Sequence, residues 1–355
     1  MATQAAMTGI ESARRVVIRA PNWLGDAVLA LPAMTALRKH FAHASITLAA
    51  PAAVAALFRE DTGVRPDAVL VLPPSEREAV RAMRDGKFDL GVLFPNSFRS
   101  AWVLRRAGVR ERWGMARGFR GVLLTRRSRA GGKGGHHADY YRALVRGLGI
   151  ECDNSPPTLA VSETSKAGAV TLLSRAGVAG DARLIGVAPG AAYGQAKQWP
   201  PKRMAEVIAR LVREHDATCL LVGAAHDRTA AREIESWLRS NAPDAQLRVI
   251  DFVGRTDLGS LVGLAAMCRV FVSNDSGAMH VAAALGTPVV AMFGPTDERA
   301  TRPLGAAEVL TADVFCRPCH LRDCPIDHRC MKRIEVSAVF AATSRHLVAG
   351  GQVAS

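Results

Sequence analysis

Three loops in this 355-residue chain carry side chains able to hold an anion or move a proton. In the segment 270–280, an apolar run ends in Ser273-Asn274-Asp275-Ser276-Gly277, and a helical pattern begins within a few residues. The first N–H groups of a helix lack intrahelical partners and its dipole favours negative charge there, so Ser276, Gly277 and Ala278 could hold a phosphate. Gly277 would let a ligand come close to the backbone. The simpler reading is that Asp275 or Ser276 merely caps the helix. Lys197 is one of only seven lysines among 46 basic residues, in the glycine-bearing loop 189–201. There it could neutralise a departing diphosphate, or it could be an exposed surface lysine. Asp26 closes the loop 20–26, where a carboxylate can cap a helix or act as a general base within reach of a substrate hydroxyl.

Four of the seven cysteines, Cys316, Cys319, Cys324 and Cys330, fall within fifteen residues. Their spacing is tighter than paired zinc hairpins, which leaves structural zinc, reduced thiols and redox or disulfide roles open. Cys152, Cys219 and Cys268 are scattered and read as buried thiols. There is no G-x-S-x-G elbow and no H-E-x-x-H helix, and the first loop lacks G-x-G-x-x-G. Serine hydrolase, zinc protease and dinucleotide oxidoreductase readings therefore have no support.

The elements that must position these loops read as parallel α/β units. Strand candidates are 15–19, 45–49, 68–72, 90–94, 184–188, 218–222, 270–273 and 288–293, mostly short apolar runs separated by helix-length patterns. Helical patterns are expected over 27–40 and 204–214. The pair Pro156-Pro157 lies in a boundary region between about residues 149 and 183. The length suits two domains, 1–160 and 161–355, each a doubly wound α/β sheet. The patch 131–137 lacks P-loop spacing and reads as a flexible loop. No apolar run approaches the roughly 18 residues of a membrane span. The first fifteen residues lack an apolar core with a cleavage site, so a cytoplasmic location is expected.

The formal charge of +14 is uneven. Residues 99–133 hold ten Arg and one Lys against the single acid Glu111, which concentrates most of the excess in the first half. Nucleic acid, an anionic membrane surface and an acidic substrate all fit such a stretch. Phe98, Trp102, Trp113 and Phe119 are interleaved with these arginines and could stack on bases, but they suit a core equally.

Taken together, four blocks resemble the lipopolysaccharide heptosyltransferases of glycosyltransferase family 9. They are APNWLGDAVLALPA (20–33), APGAAYGQAKQWP (188–200), VSNDSGAMHVAAALGTPVVAMFGPT (272–296) and CRPCHLRDCPIDHRCM (316–331). The resemblance implies a GT-B fold, two Rossmann-like doubly wound domains facing across a cleft. The first would bind the acceptor, and the second, carrying the Cys-rich segment 316–330, the ADP-sugar. It implies inverting transfer of heptose from ADP-heptose to the first heptose of the lipopolysaccharide inner core, with no cofactor required for catalysis. Another acceptor within the family, or another sugar nucleotide, is the alternative. The second and fourth blocks bear on that choice.

Residue by residue, the resemblance makes Asp26 the general base and Lys197 a contact on the donor phosphate side. It places Asp275 on the donor heptose and Ser276 and Gly277 at the diphosphate, with His280 in support. Asp227 stands where relatives carry a ribose-binding glutamate, and Thr256 where adenine is contacted. Ala192 and Tyr193 replace a pair of hydroxyl residues, so donor contacts at Tyr193 must differ. The arginine stretch becomes an expected docking face for Kdo-lipid A and the anionic inner face of the inner membrane, through Arg105, Arg106, Arg117, Arg126 and Arg127. Nucleic acid is not an expected partner.

Overall fold

The computed structural model describes residues 13–128 and 135–349 and divides into two compact units, Met1–Ala160 and Val161–Ser355. The first twelve residues and most of the glycine patch, 131–134, lie outside the described residues.

The first unit is a six-stranded sheet of β1 (Arg15–Arg19), β2 (Ser45–Pro51), β3 (Ala68–Leu72), β4 (Leu90–Leu93), β5 (Glu111–Met115) and β6 (Arg126–Ser128). All its pairings are parallel, in the order β3-β2-β1-β4-β5-β6. Val16, Val17 and Ile18 are completely buried, as a central strand covered on both faces requires. Its helices are α1 (Leu24–Leu29), α2 (Leu31–His40), α3 (Glu76–Asp85), α4 (Phe98–Arg106) and α5 (His137–Arg146). The single helix expected over 27–40 is thus two, broken at Ala30. Pro32 is the cause: it has no N–H to give, and its ring clashes with the carbonyl four residues back. The first of the two also starts earlier, with Trp23 extended at its N-cap. Asp26 therefore lies within the first helical turn and not ahead of it.

The second unit repeats the plan. Its strands are β7 (Arg183–Ala188), β8 (Ala217–Leu221), β9 (Val249–Asp251), β10 (Val270–Asn274), β11 (Val289–Phe293) and β12 (Ala307–Thr311). They are parallel in the order β12-β11-β10-β7-β8-β9. Counted from its own first strand, this is the 3-2-1-4-5-6 order of the first unit. Helices α6 (Glu163–Arg175), α7 (Pro201–His215), α8 (Arg228–Asn241), α9 (Leu258–Met267), α10 (Gly277–Ala284) and α11 (Val336–Ala349) accompany it. Met204, Val207, Ile208, Leu211 and Val212 form one buried stripe along α7, each large side chain contributing about 1.5–3 kcal/mol by burial.

Strands β5, β6, β9 and β12 were not among the expected ones. Charged residues occupy β5 and β6, while β9 and β12 are half-buried edge strands, so none presents an apolar run. Within the expected boundary region, α6 occupies 163–175. The irregular stretch before it is tied to α5: Arg142 donates to the carbonyls of Asn154 and Ser155, and Arg146 to that of Cys152. Among the described residues no helix is long and apolar enough to cross a membrane.

Candidate active site

In sheets of this order, ligands bind beyond the carboxyl ends of the strands where the order reverses. That point lies between β1 and β4 in the first unit, and between β7 and β10 in the second. The start of α1, just after β1, carries Asp26. The loops after β7 and β10 carry Lys197 and Asp275.

Asp26 is placed by the turn that begins α1, where the helix dipole favours its charge. Its side chain keeps 26% of its exposure, enough to meet a ligand. His137, at the start of α5, brings Nδ1 to 3.2 Å from Asp26 Oδ1. One turn later, Tyr141 directs its hydroxyl to Asp26. Burial first, and then the carboxylate, hold that phenol well above the usual range, so it stays a proton donor to Asp26. Neither partner was found by sequence reasoning. His137 borders the glycine patch, and only the fold brings it across 111 residues to the carboxylate.

The same end of the sheet holds polar groups from β4 and β5. Arg120 is fully buried, donates to the carbonyls of Met115 and Pro95, and has its pKa pushed down to about 10 by that burial. It also reaches Asn96 Oδ1 at 3.2 Å, which accepts from the Tyr140 hydroxyl at 2.8 Å. Arg117 stacks over the Tyr140 ring, 5.2 Å from its centroid. Arg19 ends β1 and donates to Ala20 and Asn22; its pKa is lowered to about 10 by burial and by neighbouring Arg99.

The five arginines expected as one docking face are therefore divided. Arg117 lies beside the carboxyl ends of the strands, on the Asp26 side. Arg105 and Arg106 occupy the last turn of α4, which runs antiparallel to the strands and so ends at the opposite edge. Arg126 stacks on Trp113, 4.8 Å from its centroid, and lies beside Gly149 beyond the end of α5. Arg127 donates to the Gly121 carbonyl. Two further members of the stretch are internal: Arg120 as above, and Arg112, which binds the carbonyls of Leu123, Val109 and Arg110. Trp113 is completely buried while Phe119 is 95% exposed, so the interleaved aromatics form no common stacking surface.

In the second unit, Lys197 is not a surface lysine. Its side chain is 12% exposed, and Nζ lies 2.5 Å from Asp275 Oδ2, itself 6% exposed. The Thr296 hydroxyl donates to the same oxygen at 2.7 Å. Asn274 staples the two loops together, accepting from the Trp199 N–H and donating to the Pro189 carbonyl. Sequence reasoning missed both Asn274 and Thr296, which stand beside a residue already singled out or at the end of a quoted block.

Ser276 is the N-cap of α10 but makes no capping bond; its hydroxyl pairs with Ser273 Oγ at 2.9 Å. Asp275 is committed to Lys197 and Thr296. The cap-only reading of this loop therefore fails, and the helix start at Gly277 stands beside an ammonium group. His280 is buried one turn further along α10. Tyr193 donates its hydroxyl to the His320 carbonyl, leaving its ring to lie under Lys197.

Asp227 is buried in the turn between β8 and α8, accepts from the Ala224 N–H at 2.9 Å, and lies 3.4 Å from His226. Burial raises its pKa, against the opposing pull of His226. It packs so closely on Gly190 that a Cβ there would come within 1.8 Å of Oδ1, so only glycine fits. Thr256 is half-buried in the loop between β9 and α9.

None of the seven cysteines is in a disulfide. Among the described residues no group of three or more His, Cys, Asp or Glu is arranged to hold a metal ion. Cys330 is buried against Gly294, Cys319 is exposed, Cys324 accepts the His328 N–H, and Cys316, Cys319 and Cys324 all lie within electrostatic reach of Cys330. What the Cys-rich segment does is brace the loop after β11. Arg317 donates to the Gly294 and Thr296 carbonyls and pairs with Glu298 at 2.6 Å, and His320 N–H donates to Pro295.

Two doubly wound units, one with a carboxylate and the other with a lysine and a helix start at the switch point, are the parts of a GT-B glycosyltransferase. The model of glycosyltransferase family 9 (heptosyltransferase) matches residues 77–329, which include Lys197, Asp275 and the Cys-rich segment up to Arg329, and begin after Asp26. Lipopolysaccharide heptosyltransferase 2 of Escherichia coli (strain K12) is 31% identical over 304 residues, 82% of this chain and 85% of that protein. Lipooligosaccharide heptosyltransferase 2 of Haemophilus ducreyi is 30% identical, covering 83% of this chain and 88% of its own. The solved structure of E. coli ADP-heptose LPS heptosyltransferase II superposes with a TM-score of 0.80 at 27% identity, over 95% of this chain and 99% of that one. The chain belongs to glycosyltransferase family 9 and is a heptosyltransferase.

Proposed function

We propose that this enzyme transfers L-glycero-D-manno-heptose from ADP-heptose to the first heptose of the lipopolysaccharide inner core, inverting the anomeric centre. The observation that carries the acceptor assignment is the likeness to heptosyltransferases 2 over more than four fifths of the chain. Domain roles follow the site chemistry: residues 1–160 take the acceptor, and 161–355 the ADP-sugar.

Asp26 removes the proton from the acceptor hydroxyl as that oxygen bonds to the anomeric carbon, and the bond from that carbon to the ADP oxygen breaks. His137 and Tyr141 hold the carboxylate in place for this step. Lys197 and the helix start at Ser276–Gly277 stabilise the charge that grows on the departing diphosphate. Asp275 orients Lys197 and meets the donor sugar, with His280 behind it. Tyr193, Asp227 and Thr256 complete the donor side, and no step calls for a metal or cofactor. Arg117, with Arg19 and Arg99, faces the anionic groups of Kdo-lipid A. The protein works at the cytoplasmic face of the inner membrane, bound to it peripherally, without nucleic acid.

The test is transfer from ADP-heptose to defined Kdo-lipid A acceptors with and without the first heptose. The expected product forms only on the acceptor that already carries it. Transfer confined to the acceptor lacking it would overturn the assignment.

A further inference from the structure

The Cys-rich segment is the one sequence motif that the reaction above leaves unused. Its backbone closes over the Lys197 loop: the Arg322 carbonyl accepts the Ala196 N–H at 3.0 Å, and the His320 carbonyl accepts the Tyr193 hydroxyl. The approach is close. Gly194 adopts φ +155°, and a Cβ there would lie 2.5 Å from the Arg322 carbonyl oxygen. This seating puts the Arg322 guanidinium 5.0 Å from the centroid of the Tyr193 ring, which also carries Lys197 Nζ at 4.8 Å. Two cations thus converge on one aromatic ring. Lys197 is neutralised by Asp275, whereas no ion pair is found for Arg322 among the described residues, and its side chain is exposed.

We propose that Arg322 is a ligand of the donor diphosphate, delivered to the site by the Cys-rich segment. A planar guanidinium can grip two phosphate oxygens, and Tyr193 orients it from below through the cation–π contact. The segment is then part of the donor site and not only a brace. The inference rests on the reading of Lys197 as a donor contact.

Calorimetric titration of the full chain with ADP and with adenosine separates a phosphate ligand from a structural role. Arg322→Ala is expected to weaken ADP binding about 10- to 100-fold, the range for a charged hydrogen bond. Adenosine affinity should stay unchanged, and Arg322→Lys should recover part of the loss. Unchanged ADP affinity in Arg322→Ala, or an equal loss for ADP and adenosine, would overturn the proposal. Lys197→Ala run alongside distinguishes the two levels. Weaker ADP binding in Lys197→Ala with none in Arg322→Ala sinks only the role of Arg322. No change in either variant sinks the donor-site reading on which it rests.

Discussion

The Lys197–Asp275 pair allows a sharp test of how the donor loops are held. Both side chains are nearly out of water, at 12% and 6% exposure, and 2.5 Å apart. Removing one member of a buried pair strands the other charge, at a typical cost of about 3–5 kcal/mol. Each survivor here keeps a second partner. Asp275 retains the Thr296 hydroxyl, and Lys197 retains the Tyr193 ring. A hydroxyl donating to a carboxylate or a cation–π contact offsets roughly 1–2 kcal/mol, so Lys197→Met and Asp275→Asn should each lose about 1–4 kcal/mol. The double variant strands no charge and should be no less stable than the worse single one. That implies a coupling of about 1 kcal/mol or more, within the range for contacting residues. Urea unfolding followed by circular dichroism, with the transition of the second unit resolved, measures all four proteins. Single losses that simply add, with coupling below about 0.5 kcal/mol, would refute the claim that each charge depends on the other.

Other perturbations address the remaining groups. Asp26→Asn should leave ADP-heptose binding intact while kcat falls at least about 10²-fold, the lower end for a general base; wild-type turnover would remove Asp26 from that role. Asp227 has its pKa raised by burial, so its folded-state preference for the proton favours stability below the unfolded value of about 3.9 and is lost as pH rises through the folded value. Asp227→Asn should therefore lessen the fall in stability across that interval, and an unaltered stability–pH curve would contradict the shift. Arg117→Ala should raise the acceptor KM, whereas Arg105→Ala and Arg106→Ala, at the opposite edge of the sheet, should not; equal effects from all three would restore a single arginine face.

Much of the fold was legible because a parallel strand buried on both faces must be apolar. The run 15–19 appears at those bounds with Val16, Val17 and Ile18 completely buried, and 68–72 also appears at its bounds, as a half-exposed edge strand. Charged or half-exposed strands such as β5 and β12 obey no such pattern, since their burial is set by neighbours from elsewhere in the chain. Asp26, Lys197 and Asp275 stood out by residue type at the ends of candidate strands. His137, Tyr141, Thr296 and Arg322 did not, because their meaning is a partner 21 to 129 residues away.

The sequence alone determined that the chain is α/β, that its loops could hold a diphosphate and a base, and which family its blocks resemble. The tertiary structure alone decided which side chains share a site. It set Lys197 against Asp275 across 78 residues and His137 against Asp26 across 111. It also divided the arginine stretch into buried supports and exposed cations at opposite ends of one sheet. The physical reason is that a charge has no fixed meaning along the chain. Whether Arg120 is a ligand for an anion or a strut between β4 and β5 depends on which carbonyls surround it, and only the folded sheet brings those together.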